Sequence, residues 1–318
     1  MTKRERLLAA VQGKPVDRTP TGFWLHFPKE AFFGKAAVDA HLDFFEKTDT
    51  DIMKIMNESL VPAFPIEKPS DWREVMPLRR DARFVTDALD VTKGVLDKVG
   101  GKGVVLLTVH GLIASMWHTR GGPDGYEAGR KMLARHYHLR PGFVIDALRT
   151  LSEGLTRFVE EAMKTGIDGI YYAALGGERG LFDDETFEYI IKPLELQILD
   201  AAKNAPTFNV LHLCKDNLDL SRYIGYPGAV VNWATHEGNP SLEEGHNIFR
   251  TRTLLGGFDD RAGVLVDGDK KTIAAETKAL IARMKAINTP FILGADCTLP
   301  TDIDYSRIRA AVDAAHGA

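Results

Sequence analysis

Cysteine is nearly absent. The 318 residues hold only Cys214 and Cys297, too few for a disulfide scaffold. No run approaches the ~18 uninterrupted apolar residues of a membrane span. The opening Met1-Thr-Lys-Arg-Glu-Arg-Leu-Leu-Ala-Ala10 mixes both charge signs where a signal peptide needs an apolar core, and reads as an amphipathic helix. Neither charge sign dominates: 40 basic residues stand against 44 acidic, a net −4, which removes any bulk-charge argument for nucleic acid. Glycine is plentiful, yet Gly100-Gly101-Lys102-Gly103 and Gly176-Gly177-Glu178-Arg179-Gly180 have the wrong spacing for a dinucleotide-binding turn. The expected setting is the cytoplasm, with no membrane or nucleic-acid partner, where thiols stay reduced.

What is present is a chain 44% hydrophobic, enough for a large core. Its length allows two domains, but α/β barrels exceed ~250 residues as one. Short β-branched or aromatic runs read as strands at Thr21–Leu25, Ile52–Ile55, Val104–Thr108, Ile167–Tyr172, Phe208–His212, Ala229–Asn232, Thr253–Gly256 and Phe291–Leu293. Helical periodicity separates them, most clearly at Phe143–Thr165, Asp184–Asn204 and Lys271–Ile287. Eight strands alternating with helices predict a single-domain (β/α)8 TIM barrel over residues 1–318. Residues 62–100 break the alternation with Pro62, Pro65, Pro69 and Pro77. They read as an insertion after the second strand, with a small hairpin at Phe84–Thr86 and Val91–Val95.

Chemistry concentrates in two segments. Asn209-Val-Leu-His-Leu-Cys-Lys-Asp216 is a strand ending in His212 and Cys214, which project to one face because side chains two apart on a strand do so. Phe291-Ile-Leu-Gly-Ala-Asp-Cys297-Thr-Leu-Pro300 is a second strand leading into the other cysteine. If both strands belong to one barrel, all three side chains meet at its C-terminal rim, where barrel enzymes do their chemistry. One imidazole and two thiolates suit zinc with a fourth position left open, the catalytic rather than the structural arrangement. Spacing alone also accommodates a core histidine and two inert buried thiols.

The stretch Arg4-Glu-Arg-Leu-Leu-Ala-Ala-Val-Gln-Gly-Lys-Pro-Val-Asp-Arg-Thr-Pro20 resembles the N-terminal signature of the uroporphyrinogen decarboxylase superfamily. Similar landmarks recur at Thr165-Gly-Ile-Asp-Gly-Ile170, at the strand entering His212, at Gly256-Gly-Phe-Asp-Asp-Arg261 and at Gly294-Ala-Asp-Cys-Thr-Leu-Pro300. The resemblance implies a (β/α)8 barrel. It also points to the corrinoid-linked methyltransferase branch, typified by methylcobamide:coenzyme M methyltransferases, whose zinc ligands follow a His-x-Cys and later Cys pattern. His212, Cys214 and Cys297 match that pattern one by one. The expected function is therefore zinc-dependent transfer of a methyl group between a corrinoid and a small-molecule acceptor or donor, with a thiol, coenzyme M or a folate all open. Zinc would hold an incoming thiol as a nucleophilic thiolate. No Asp-x-His-x-x-Gly segment of the corrinoid-binding kind occurs, so the cobamide is expected on a partner corrinoid protein. The alternative is a decarboxylase-like lyase acting on a carboxylated substrate. That branch carries an Arg-Gln-Ala-Gly-Arg segment after the first strand; here Phe23-Trp-Leu-His-Phe-Pro-Lys-Glu30 has no arginine, and Lys29 cannot supply bidentate forks.

Rim positions fill in the expected site. Glu58, His110, Glu178, Asn232 and Asp259 lie at the ends of the second, third, fourth, sixth and seventh strands and are the candidate substrate contacts. His26, Asn57, His118 and His236 occupy similar places, and Asp51 and Lys54 straddle the second strand. Asp216 and Asp296 adjoin metal-ligand candidates and are expected to orient His212 or the pocket. The basic run Arg130, Lys131, Arg135 and Arg140, with Met132 and Tyr137, reads as an amphipathic helix without chemistry.

Overall fold

The protein is described by a computed structural model covering residues 1–120 and 125–317. Helix α1 (Lys3–Val11) starts at a capping box between Thr2 and Glu5 and leads into β1 (Thr21–Gly22), α2 (Gly34–Thr48) and β2 (Ile52–Ile55). There follow α3 (Arg83–Val99), β3 (Val104–His110), α4 (Leu112–Arg120), α5 (Gly125–Leu139), α6 (Pro141–Met163) and β4 (Gly169–Ala174). A short α7 (Asp184–Thr186) passes through a wide turn at Phe187–Ile191 into α8 (Lys192–Asp200), and then come β5 (Val210–Leu213) and β6 (Val230–Trp233). The chain ends with α9 (Leu242–Ile248), β7 (Thr253–Phe258), α10 (Gly263–Asp267), α11 (Lys270–Ala286), β8 (Phe291–Ala295) and α12 (Tyr305–His316).

All eight strands run parallel, each paired with its sequence neighbour from β2 through β8, and β8 returns to β1. The remaining seam, between β1 and β2, is closed by Asp51. Its N–H donates to Thr21 O at 2.9 Å, and its Oδ2 accepts from Thr21 N at 2.9 Å and Thr21 Oγ1 at 3.2 Å. Arg6 of α1, itself buried, donates to Asp51 Oδ1 at 2.6 Å. The opening basic-acidic helix is thus packed under the barrel, where its Arg4 also pairs with Asp168. Among the described residues no helix is long and apolar enough to cross a membrane.

The expected barrel is the observed one, with three local differences. The hairpin predicted at 84–95 is the interior of α3: Phe84, Val85, Ala88, Val91, Thr92, Val95 and Val99 are buried at helical spacing. The density of β-branched residues suggested strands, but the 3.6-residue period decides. The irregular insertion after β2 is correspondingly shorter and ends before Arg83. Only Thr21 and Gly22 of the first predicted strand pair in the sheet; Leu25 makes a separate bridge to Leu299. Here glycine is required, because a Cβ on Gly294 of β8 would lie 2.6 Å from Gly22 O.

Register sets up the site. His110 pairs with Ala173, Ala173 with His212, and His212 with Asn232, so one level of the barrel rim runs across β3 to β6. Tyr171 lies one step deeper on the same face.

Candidate metal centre

His212, near the end of β5, and Cys214, two residues later, meet Cys297 beyond β8. Their ligand atoms all lie within 4.8 Å of one another, with Cys297 Sγ 3.4 Å from His212 Nε2. His212 is buried and the two cysteines are partly so; neither is in a disulfide. Two sulfurs and one nitrogen in this space form a soft, three-donor set able to hold a metal ion.

The imidazole is fixed for that task by a partner from β6. Asn232 Nδ2 donates to Leu255 O at 2.9 Å and to Ala295 O at 3.1 Å, which fixes its Oδ1 as the acceptor. That oxygen lies 2.7 Å from His212 Nδ1 and also accepts from the Tyr171 hydroxyl at 2.8 Å. His212 must therefore carry its proton on Nδ1, leaving the Nε2 lone pair facing Cys297. Tyr171 stacks on the His212 ring at 5.2 Å and 27°, forming the floor of the site.

The loop after Cys214 is held as firmly. Lys215 and Asn217 adopt positive φ, at 88° and 55°, a strained state for residues other than glycine. Asn239 compensates: its Nδ2 donates to Lys215 O and Ala234 O, both at 2.8 Å, and its Oδ1 accepts from Leu218 N at 2.7 Å. The hydrogen bond with Cys214 pulls Cys297 down; the same contact and burial push Cys214 up. Nearby Asp260 is pushed up to about 7, first by burial and then by the charge of Cys297.

The other candidates divide by what they touch. His110 sits at the rim with its Nδ1 buried and unpartnered, edge-on to His118 at 4.9 Å. Burial lowers both histidines, His118 to about 4. Glu58 accepts from His26 at 2.7 Å. Glu178 is buried and satisfied by Tyr126, Arg130 and Gly176 N, an arrangement that ties its loop to α5. Asp259 accepts from Arg261 N at 2.8 Å and Ala262 N at 3.2 Å, capping a turn. Asp296 binds Thr235 Oγ1, His236 N and His236 Nδ1, not His212. Asp216 is exposed, 3.4 Å from Arg130. The residue that orients His212 is thus Asn232, one strand over, rather than either aspartate adjoining a cysteine. Tyr171 escaped sequence reasoning altogether. Lys54 is the buried lysine within the strand Ile52–Ile55, and that isolated charge was its signal.

Barrel and rim together define a (β/α)8 protein with a three-donor metal-type site at its mouth. The sequence model of the uroporphyrinogen decarboxylase (URO-D) family matches residues 52–318, and the chain belongs to that family. Among solved structures, a methyltransferase from Methanosarcina mazei is similar over 100% of this chain and 99% of its own, at TM-score 0.73 and 16% identity. A B12-independent methionine synthase from Shewanella sp. W3-18-1 is similar at TM-score 0.56 and 12% identity, over 94% and 97% of the two chains. A putative vitamin-B12 independent methionine synthase from Listeria monocytogenes gives 0.54 and 12%, over 95% and 98%. At such identities the likeness is one of fold. Comparison with curated protein sequences gives no match.

Proposed function

We propose that this protein is a zinc-dependent methyltransferase that moves a methyl group between a corrinoid, carried by a partner protein, and a thiol or similar small molecule. The observation that carries the reading is the convergence of His212 Nε2, Cys214 Sγ and Cys297 Sγ within 4.8 Å, with the imidazole held in the ligating tautomer by Asn232. The fold shared with a protein named a methyltransferase supports it. The absence of arginine from Phe23–Glu30 weighs against a polycarboxylate substrate.

His212, Cys214 and Cys297 would hold the zinc and leave a fourth position for the exchanging molecule. When bound, zinc supplies the Lewis acidity that keeps a thiol deprotonated, and still nucleophilic, near neutral pH. Asn232 keeps the proton off Nε2. Tyr171 closes the space beneath the imidazole, and Asn239 fixes the backbone that presents Cys214. Of the rim residues, Glu58 and His110 are the proposed substrate contacts. Glu178 and Asp259 shape the surrounding loops. In the overall exchange a carbon–sulfur bond forms as the cobalt–carbon bond breaks, the bonding pair stays with cobalt, and the thiol proton passes to solvent. The reverse exchange makes the same protein a demethylating component.

The test combines metal analysis with visible absorbance. One zinc per chain is expected, lost in Cys214→Ser and Cys297→Ser. Methylcobalamin mixed with a thiol should lose its methyl-cobalt absorbance only when zinc-loaded protein is present. A metal-free protein fully active on a porphyrinogen would overturn the proposal in favour of a lyase.

A further inference from the structure

Lys54 is buried within β2, and the metal-type site has so far given it no task. Its Nζ lies 2.8 Å from Met56 Sδ, 4.4 Å from the Tyr171 ring centroid and 5.2 Å from that of Trp24. The ammonium is thus caged by two aromatic faces and a thioether, with no carboxylate in ion-pair contact among the described residues. Such a charge is costly unless an opposite charge answers it. Burial pulls Lys54 down to about 7, and the nearby charges of Cys297, Glu58 and Cys214 oppose that pull. Glu58 already spends an oxygen on His26, and a zinc ion held by the two sulfurs would answer their charge, which leaves Lys54 free to answer a further anion. Tyr171 connects the two sides, with Lys54 at one of its contacts and His212 stacked at another.

Charge arithmetic gives the lysine a purpose. Two thiolates and a neutral imidazole neutralise a divalent ion. A third thiolate arriving at the open position leaves one negative charge uncompensated inside a poorly solvated rim. We infer that Lys54 is the counter-charge for that thiolate: a positioning residue that favours an anionic sulfur over a neutral ligand at the fourth position. After methylation the sulfur is a neutral thioether, so the attraction disappears and the product is released from it. This inference rests on the proposed metal site but not on the corrinoid reaction.

The test measures thiol binding to zinc-loaded protein, without methyl transfer. In Lys54→Met an uncharged chain of similar length replaces the amine inside an apolar cage. Its expected phenotype is an unchanged zinc content and about tenfold weaker binding of 2-mercaptoethanol, ~1.4 kcal/mol. Calorimetry, or the sulfur-to-cobalt absorption band of cobalt(II)-substituted protein, reads the affinity. The loss should be the same for 3-mercaptopropionate. Unchanged thiol affinity overturns the inference. So does a loss confined to 3-mercaptopropionate, because Lys54 would then be pairing with a substrate acid group, and so does loss of the zinc itself. Lys54→Gln provides the same comparison if the methionine variant does not fold. Wild-type protein that binds neither zinc nor thiol sinks the metal site and the inference together. Wild-type protein that binds both but moves no methyl group sinks only the proposed reaction.

Discussion

Asn232→Ala tests whether one buried amide sets the chemistry of the metal-type site. Truncation strips the acceptor from two buried donors, His212 Nδ1–H and the Tyr171 hydroxyl, and the donor from Leu255 O and Ala295 O. An orphaned buried donor costs ~1–3 kcal/mol, so the two together imply a loss of about 2–6 kcal/mol in the metal-free protein. Removing the group that orients a ligating imidazole typically costs 10–100-fold in metal affinity, because the tautomer protonated on Nε2 cannot bind. The first quantity is read by denaturant unfolding of metal-free protein, the second by zinc competition against a chromophoric chelator. Asn232→Asp separates the two. It keeps an acceptor for His212 but gives up both donors to the carbonyls, so stability should fall while zinc affinity stays within a few-fold of wild type. An alanine variant that unfolds earlier yet binds zinc as tightly as wild type would refute the tautomer argument.

Two further outcomes concern the frame around the site. Glu195 of α8 is fully buried, accepts from the hydroxyls of Tyr172 at 3.2 Å and Tyr226 at 2.9 Å, and is pushed up to about 7 by burial. Its contribution is complete below pH ~4.5, where both states are protonated, and is lost as pH rises through about 7. Glu195→Gln should therefore gain on wild type by a few kcal/mol between pH 5 and 8, and parallel stability profiles in denaturant titrations would contradict this. Arg6→Met leaves Asp51 charged and uncompensated at the seam between β1 and β2, at an expected cost of ~3–5 kcal/mol. Adding Asp51→Asn should restore part of it, and a single-variant loss below ~1 kcal/mol in the denaturant midpoint would show the seam does not depend on that pair.

The barrel and three of its rim residues were legible because both rest on local periodicity. Alternation along β5 fixes the common direction of His212 and Cys214, and eight strands suffice to bring position 297 beside them. The distance between His212 and Cys297, 3.4 Å, lies inside the ~4.3 Å that a zinc–nitrogen and a zinc–sulfur bond can span at most. What supports the site was less legible, because it comes from other strands at the same level. Asn232 and Tyr171 are related to His212 by sheet register, which leaves no trace in spacing along the chain. Adjacency misled in the same way: Asp296 is next to Cys297 in sequence but turns its carboxylate to Thr235 and His236. In α3 the misleading feature was composition, since Val85, Val91, Val95 and Val99 favour strands by type and a helix by position.

The amide that orients His212 also dictates the order in which the molecule can mature. Asn232 extends from β6, holds an imidazole on β5, and is itself aligned by carbonyls of β7 and β8. The donor set thus comes into being only after four strands have reached their final register, with ligands 85 positions apart in the chain. Contacts of that sequence separation form late. An ion bound at this site is expected to enter a barrel already folded on its own core. Its presence should slow the opening of the finished protein by mass action and leave the rate of refolding unchanged.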